Sequence, residues 1–125
     1  MATVNLKYDD LQNTLENNEI VIIDFWAEWC GPCKMFGPTF EKMSEKYPDT
    51  KFTKVNTEEE RELAGAFGIQ SIPTLAIFRD NIMLFKQPGA LPESALEDVI
   101  KQVQDLDMEK VREEMEKEQA KEKAA

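Results

Sequence analysis

The chain has no histidine and only two cysteines in 125 residues. The first absence removes Cys-His and Ser-His nucleophilic catalysis, together with zinc sites that need imidazole to complete four ligands. Positive charge is scarce: 15 Lys and Arg stand against 25 Asp and Glu, a net charge of −10. A general attraction to nucleic acid or to an anionic membrane would have to overcome repulsion everywhere except at a local basic patch, and the sequence has no such patch. Long apolar runs are also missing, and none approaches the roughly 18 residues of a membrane span. The opening MATVNLKYDD has neither a basic start nor an apolar stretch, so no secretory leader is expected. These absences predict a soluble, cytoplasmic protein with neither nucleic acid nor membrane as partner. In that compartment thiols are kept reduced, so two closely spaced cysteines read as reactive or metal-bound rather than as a structural staple.

What is present suits one compact unit, since 42% hydrophobic residues can build a core in a chain of this length. Residues 20–27, IVIIDFWA, are β-branched and aromatic without polar alternation, which predicts a central strand covered on both faces. KFTKVN at 51–56 is a second β-rich run, and the stretch between the two suits a crossover helix joining parallel strands. That helix should begin near Cys30–Pro32 and turn Met35, Phe36, Phe40, Met43 and Tyr47 inward, with a kink at Pro38. Thr57 and Glu60 occupy the first and fourth positions of a capping box, predicting a short helix to about Ala66. TLAIF at 74–78 and IMLFK at 82–86, separated by Arg79, Asp80 and Asn81, predict an antiparallel hairpin. Pro92 opens a last core helix with Leu96, Val99, Ile100 and Val103 at helical spacing. Tyr8–Leu15 reads as an early helix after a short first strand.

Composition changes after residue 104. Thirteen of the last 21 residues are charged, which places the core domain at 1–104 and a charged extension at 105–125. Asp107 could cap a short amphipathic helix through Met108, Val111 and Met115, but a solvated, fraying tail is the preferred reading.

C-G-P-C at 30–33 has three possible uses. As a staple it closes so short a loop that the chain-entropy model gives only about 2 kcal/mol. As a metal site it lacks a third cysteine and any histidine, so only a site shared across a dimer interface is left. As a redox pair it is well built, because cysteines at i and i+3 can join or separate with little backbone movement. At a helix N-terminus, unpaired N–H groups and the dipole favour a thiolate on Cys30, the attacking sulfur. Cys33, one turn inside and more buried, would then attack Cys30 and release a reduced product. That second step needs a base. Asp24, the only charge in its strand, should have a raised pKa through burial and can accept and return the proton. A buried Asp is more often simply satisfied by a hydrogen-bond partner, but its place six residues before Cys30 favours a role in the chemistry.

W-C-G-P-C at 29–33 after a strand with an internal Asp, S-I-P-T at 71–74, and P-G-A at 88–90 resemble the thioredoxin family from about residue 3 to 104. The resemblance implies a mixed five-stranded α/β sheet of order 1-3-2-4-5, flanked by helices on both faces. It also implies protein-disulfide reduction by Cys30 and Cys33, with Asp24 as proton acceptor and Lys54 close to it. Pro73 matches a proline held cis beside the sulfurs, next to Ile72, whose backbone would pair with an extended substrate segment. Trp29, Gly31, Pro32, Ile72, Gly89 and Ala90 match an apolar docking surface. The family's oxidised form is reduced by thioredoxin reductase, so no cofactor beyond the Cys30–Cys33 pair is expected, and a monomer is expected. Gly31-Pro32 favours a reductant, since isomerases usually carry a histidine there. The rival expectation is a redox-inactive binding module or holdase using the same surface.

Overall fold

The computed structural model describes residues 2–124. Along the chain run β1 (Val4–Asn5), a 3-10 turn (Tyr8–Asp10), α1 (Leu11–Asn17), β2 (Ile20–Trp26), α2 (Gly31–Lys46) and β3 (Lys51–Asn56). They are followed by α3 (Arg61–Ala66), β4 (Thr74–Arg79), β5 (Ile82–Pro88), α4 (Glu93–Asp105) and α5 (Met108–Ala124). The five strands form one sheet in the order β1-β3-β2-β4-β5. β2 is its centre, parallel to β3 and antiparallel to β4. A strand with neighbours on both edges and helices on both faces has no solvent side, which is why the segment is apolar without alternation.

Alternate residues of β2 feed two cores. Ile20 and Ile22 pack with Phe36, Phe40 and Met43 of α2 and Leu96, Ile100 and Val103 of α4. Val21, Ile23 and Phe25 pack on the other face with Leu15 and Leu63. By this parity Asp24 belongs to the face covered by α2 and α4. The hairpin between β4 and β5 turns on Asp80 and Asn81, both at positive φ (52° and 66°), as a two-residue turn of matching twist requires. Arg79 belongs to β4 rather than to the turn.

Three local expectations change. Met35 is 80% exposed, because successive helical positions at 35 and 36 diverge by about 100° and Phe36 takes the core side. The capping box does not form: Thr57 donates its hydroxyl to the Trp26 carbonyl, and Asn56 Oδ1 accepts from the Glu58 and Glu59 amides instead. The helix consequently starts later, at Arg61. The charged extension is helical from Met108 to Ala124, not frayed. Asp107 Oδ1 accepts from the amides of Glu109 and Lys110, and Met108 is buried. The Arg79 guanidinium holds the preceding turn, donating to the carbonyls of Val103, Gln104 and Leu106.

Candidate active site

The β2-to-α2 turn brings Cys30 to the N-cap of α2 in an extended conformation (φ −87°, ψ 109°), with Pro32 in the first turn, where its missing N–H costs nothing. Cys30 Sγ accepts from the Cys33 amide at 3.2 Å, so sulfur takes the place that Ser or Asp oxygen usually holds. The two cysteines are disulfide-bonded with Cα atoms 5.3 Å apart. Their exposures, 4% and 3%, do not separate them, against the expectation that Cys33 is the more buried. What separates them is position. Cys30 lies at the helix mouth with Sγ 3.7 Å from the Ile72 carbonyl oxygen, whereas Cys33 lies within the first turn of α2, three residues before Phe36.

Around the mouth, the Ile72–Pro73 peptide is cis, and the Pro73 carbonyl accepts from the Gly89 amide at 2.8 Å. Gly89 takes φ 102°, a conformation that a side chain would strain. Trp29 and Ile72 line one groove of about 560 Å³, while Gly31, Pro32, Gly89 and Ala90 are exposed. Trp29 is 70% exposed, and its indole N–H donates to Glu58 at 2.9 Å. The bond from Trp29 to Glu58 is a contact at the site that the sequence reading did not include. It joins the β2-to-α2 turn to the end of the neighbouring parallel strand, a juxtaposition that local sequence does not report.

On β2, six residues before Cys30, Asp24 stands in register with Lys54 on β3 and Leu75 on β4. It is 1% exposed, and neither carboxylate oxygen has a hydrogen-bond partner among the described residues. Burial raises its pKa from 3.8 to about 7, and the Lys54 ammonium offsets part of the rise. Lys54 Nζ lies 4.7 Å from the centroid of the Trp26 ring, whose own buried indole nitrogen is unpartnered among the described residues. A small cavity of about 130 Å³ opens beside Lys54 and Trp26. Among the described residues no group of three or more acidic, histidine or cysteine side chains could hold a metal ion, and no helix is long and apolar enough to cross a membrane.

A cysteine pair closed across one helical turn at the head of α2 is the working centre of a dithiol-disulfide oxidoreductase acting on protein disulfides. The thioredoxin family model matches residues 2–102. The chain is 56% identical over 119 residues to putative thioredoxin 2 of Streptomyces coelicolor, covering 95% of this chain and 89% of that one. Thioredoxin from Halobacterium salinarum superposes with a TM-score of 0.78 at 32% identity, over 84% of this chain and 93% of that one. A yeast structure concerned with thiol resolution in a mitochondrial 1-Cys peroxiredoxin through the glutathione and thioredoxin systems gives 0.74 at 33% identity, over 80% and 94%. The chain belongs to the thioredoxin family.

Proposed function

We propose the following division of labour in the reduction of protein disulfides. A substrate strand lies along Ile72 and Pro73, with Trp29, Gly31, Pro32, Gly89 and Ala90 forming the apolar surround. The Cys30 thiolate attacks one substrate sulfur, forming a mixed disulfide and expelling the other sulfur as a thiolate. Asp24 takes the proton of the Cys33 thiol. Cys33 attacks Cys30 Sγ, the mixed bond breaks, and the second substrate sulfur leaves. Two electrons have passed to the substrate, and the protein holds the Cys30–Cys33 disulfide. Lys54 tunes the acid by lowering the pKa that burial raises. Thioredoxin reductase, a flavoenzyme drawing on NADPH, restores the dithiol in the cytoplasm. The catalytic unit is residues 1–104, working as a monomer, and 105–125 is an appended element.

The observation that carries this reading is the Cys30–Cys33 pair closed at the head of α2, supported by Asp24, buried and without a hydrogen-bond partner among the described residues on the sheet face that α2 covers. Insulin reduction tests it together with the sulfur roles. Cys30→Ser should abolish turnover. Cys33→Ser should also stop turnover but accumulate mixed disulfides with substrates. Indifference of the assay to both changes would hand the surface to a redox-inactive binding module.

A further inference from the structure

α5 stands on a fixed base. Met108 is 6% exposed, Arg112 pairs with Asp80 at 3.4 Å, and Arg79 holds the turn before the helix. Beyond that base, α5 is exposed to solvent except for the half-buried Val111. One side of it, with Leu106 and Asp107 of the preceding turn, forms a shallow open groove with a single wall, lined by residues of this segment alone. The apolar part of the groove is Leu106, Val111 and Met115, with Leu106 40% and Met115 39% exposed. Its remaining charged lining is Asp107, Glu114, Glu118 and Glu122, against a single Lys110.

The charges of α5 are sorted about its axis. The helix carries six glutamates and five basic residues, so it is nearly neutral as a whole. Yet Glu114, Glu118 and Glu122 fall on the groove side with one lysine, while Arg112, Lys117, Lys121 and Lys123 fall outside the lining. Lys117 and Lys121 reach Glu114 and Glu118 at 3.6 Å and 4.0 Å, but all four side chains are at least 68% exposed. Pairs of that kind contribute little and exchange readily for a better-placed cation. The match to the Streptomyces relative spans 119 of 125 residues and leaves six outside it, so it runs well into α5, past the end of the family model at residue 102.

We propose that this groove docks a basic amphipathic helix of a partner protein, its apolar side on Val111 and Met115 and its lysines or arginines against Glu114, Glu118 and Glu122. Side-by-side packing of two amphipathic helices supplies the apolar contact, and the glutamates set the sign of the partner. A second copy seated face to face is the wrong occupant, because it would set Glu114, Glu118 and Glu122 against their equals, between chains that each carry a charge of −10. An anionic lipid surface is repelled for the same reason.

Fluorescence anisotropy with the full chain and a synthetic helical peptide, a leucine stripe flanked by lysines, tests this. The lysine probe should bind and a glutamate-flanked counterpart should not. The triple change Glu114→Gln, Glu118→Gln, Glu122→Gln should weaken binding roughly tenfold, the sum of three exposed charge contacts. The triple Glu109→Gln, Glu113→Gln, Glu116→Gln alters net charge equally and should have well under half that effect on a logarithmic scale. Val111→Ser with Met115→Ser should weaken binding without changing charge. The proposal is overturned if the lysine probe does not bind, if both triples act equally, or if the serine pair has no effect. Self-association that Met115→Ser abolishes, seen by sedimentation, would overturn it in favour of a second copy. So would a loss of affinity that merely follows loss of helix by circular dichroism.

Discussion

Asp24→Asn separates what Asp24 does for stability from what it does for turnover. In the unfolded chain the carboxyl titrates near 3.8, and in the fold near 7, with burial as the main cause and Lys54 opposing it. The sign follows from proton binding. Below about pH 4 the acid is neutral in both states and costs nothing extra. Between about 4 and 7 the unfolded state ionises while the folded state keeps its proton, so folding stability falls as pH rises. Above about 7 the loss levels off at roughly 4 kcal/mol, each pH unit of the interval being about 1.4 kcal/mol. Asparagine never ionises, but its amide is as unpartnered as the carboxylate it replaces and gives back part of the gain, about 1–3 kcal/mol. The oxidised variant should therefore exceed the parent by about 1–3 kcal/mol at pH 8 and show no advantage at pH 4. Urea denaturation across that range measures the difference directly. Insulin reduction by the same variant should be slowed at neutral pH. A pH-independent stability difference, or a less stable variant with unchanged turnover at pH 8, would refute the assignment.

Other outcomes follow from single contacts. Lys54→Met removes the cation that lowers the Asp24 pKa, so NMR titration of the carboxyl should show it moving above its value near 7. Arg79→Leu leaves the carbonyls of Val103, Gln104 and Leu106 without their charged donor and should cost about 2 kcal/mol in chemical denaturation, with loss of the α5 helical signal. Tyr47 donates to the Glu97 carboxylate at 2.6 Å, and this bond, followed by burial, pushes its hydroxyl from 10.0 up to about 12. Ultraviolet titration of Glu97→Gln should show that phenol ionising at lower pH. Glu58→Ala frees the Trp29 indole and should raise KM for a protein disulfide about two- to fivefold with kcat unchanged, since an exposed side chain carries little folding energy.

The parts of this fold that were legible are those in which one physical requirement dominates. β2 was readable because burial on both faces leaves no alternation, and the same greasy context made Asp24 conspicuous. The cysteine turn was readable because spacing and Gly-Pro chemistry both point to a helix start. The order of the strands came from the family resemblance, since hydrophobic pattern alone does not say which strand lies beside which. Met35 was misplaced because a methionine beside an apolar stripe looks inward until the helical angle is counted. Thr57 and Glu60 had the right spacing for a cap, but Asn56, one residue earlier, took the free amides and Thr57 turned back to β2. The extension was underestimated for a similar reason: what anchors α5 is Arg79, some thirty residues away, and no local pattern reports such a bond. Trp29 and Glu58 meet only through the alignment of two strand ends.

In α2 the atom that caps the helix start is also one half of the redox disulfide. Cys30 Sγ receives the Cys33 amide and lies 3.7 Å from the Ile72 carbonyl oxygen, so any change in the bonding of that sulfur also alters the helix start. A serine in its place restores the terminus without the chemistry. The Cys33 amide proton is therefore a local gauge of oxidation state: its exchange with solvent deuterium should shift between disulfide, mixed-disulfide and dithiol forms, while amides farther along the helix keep their protection.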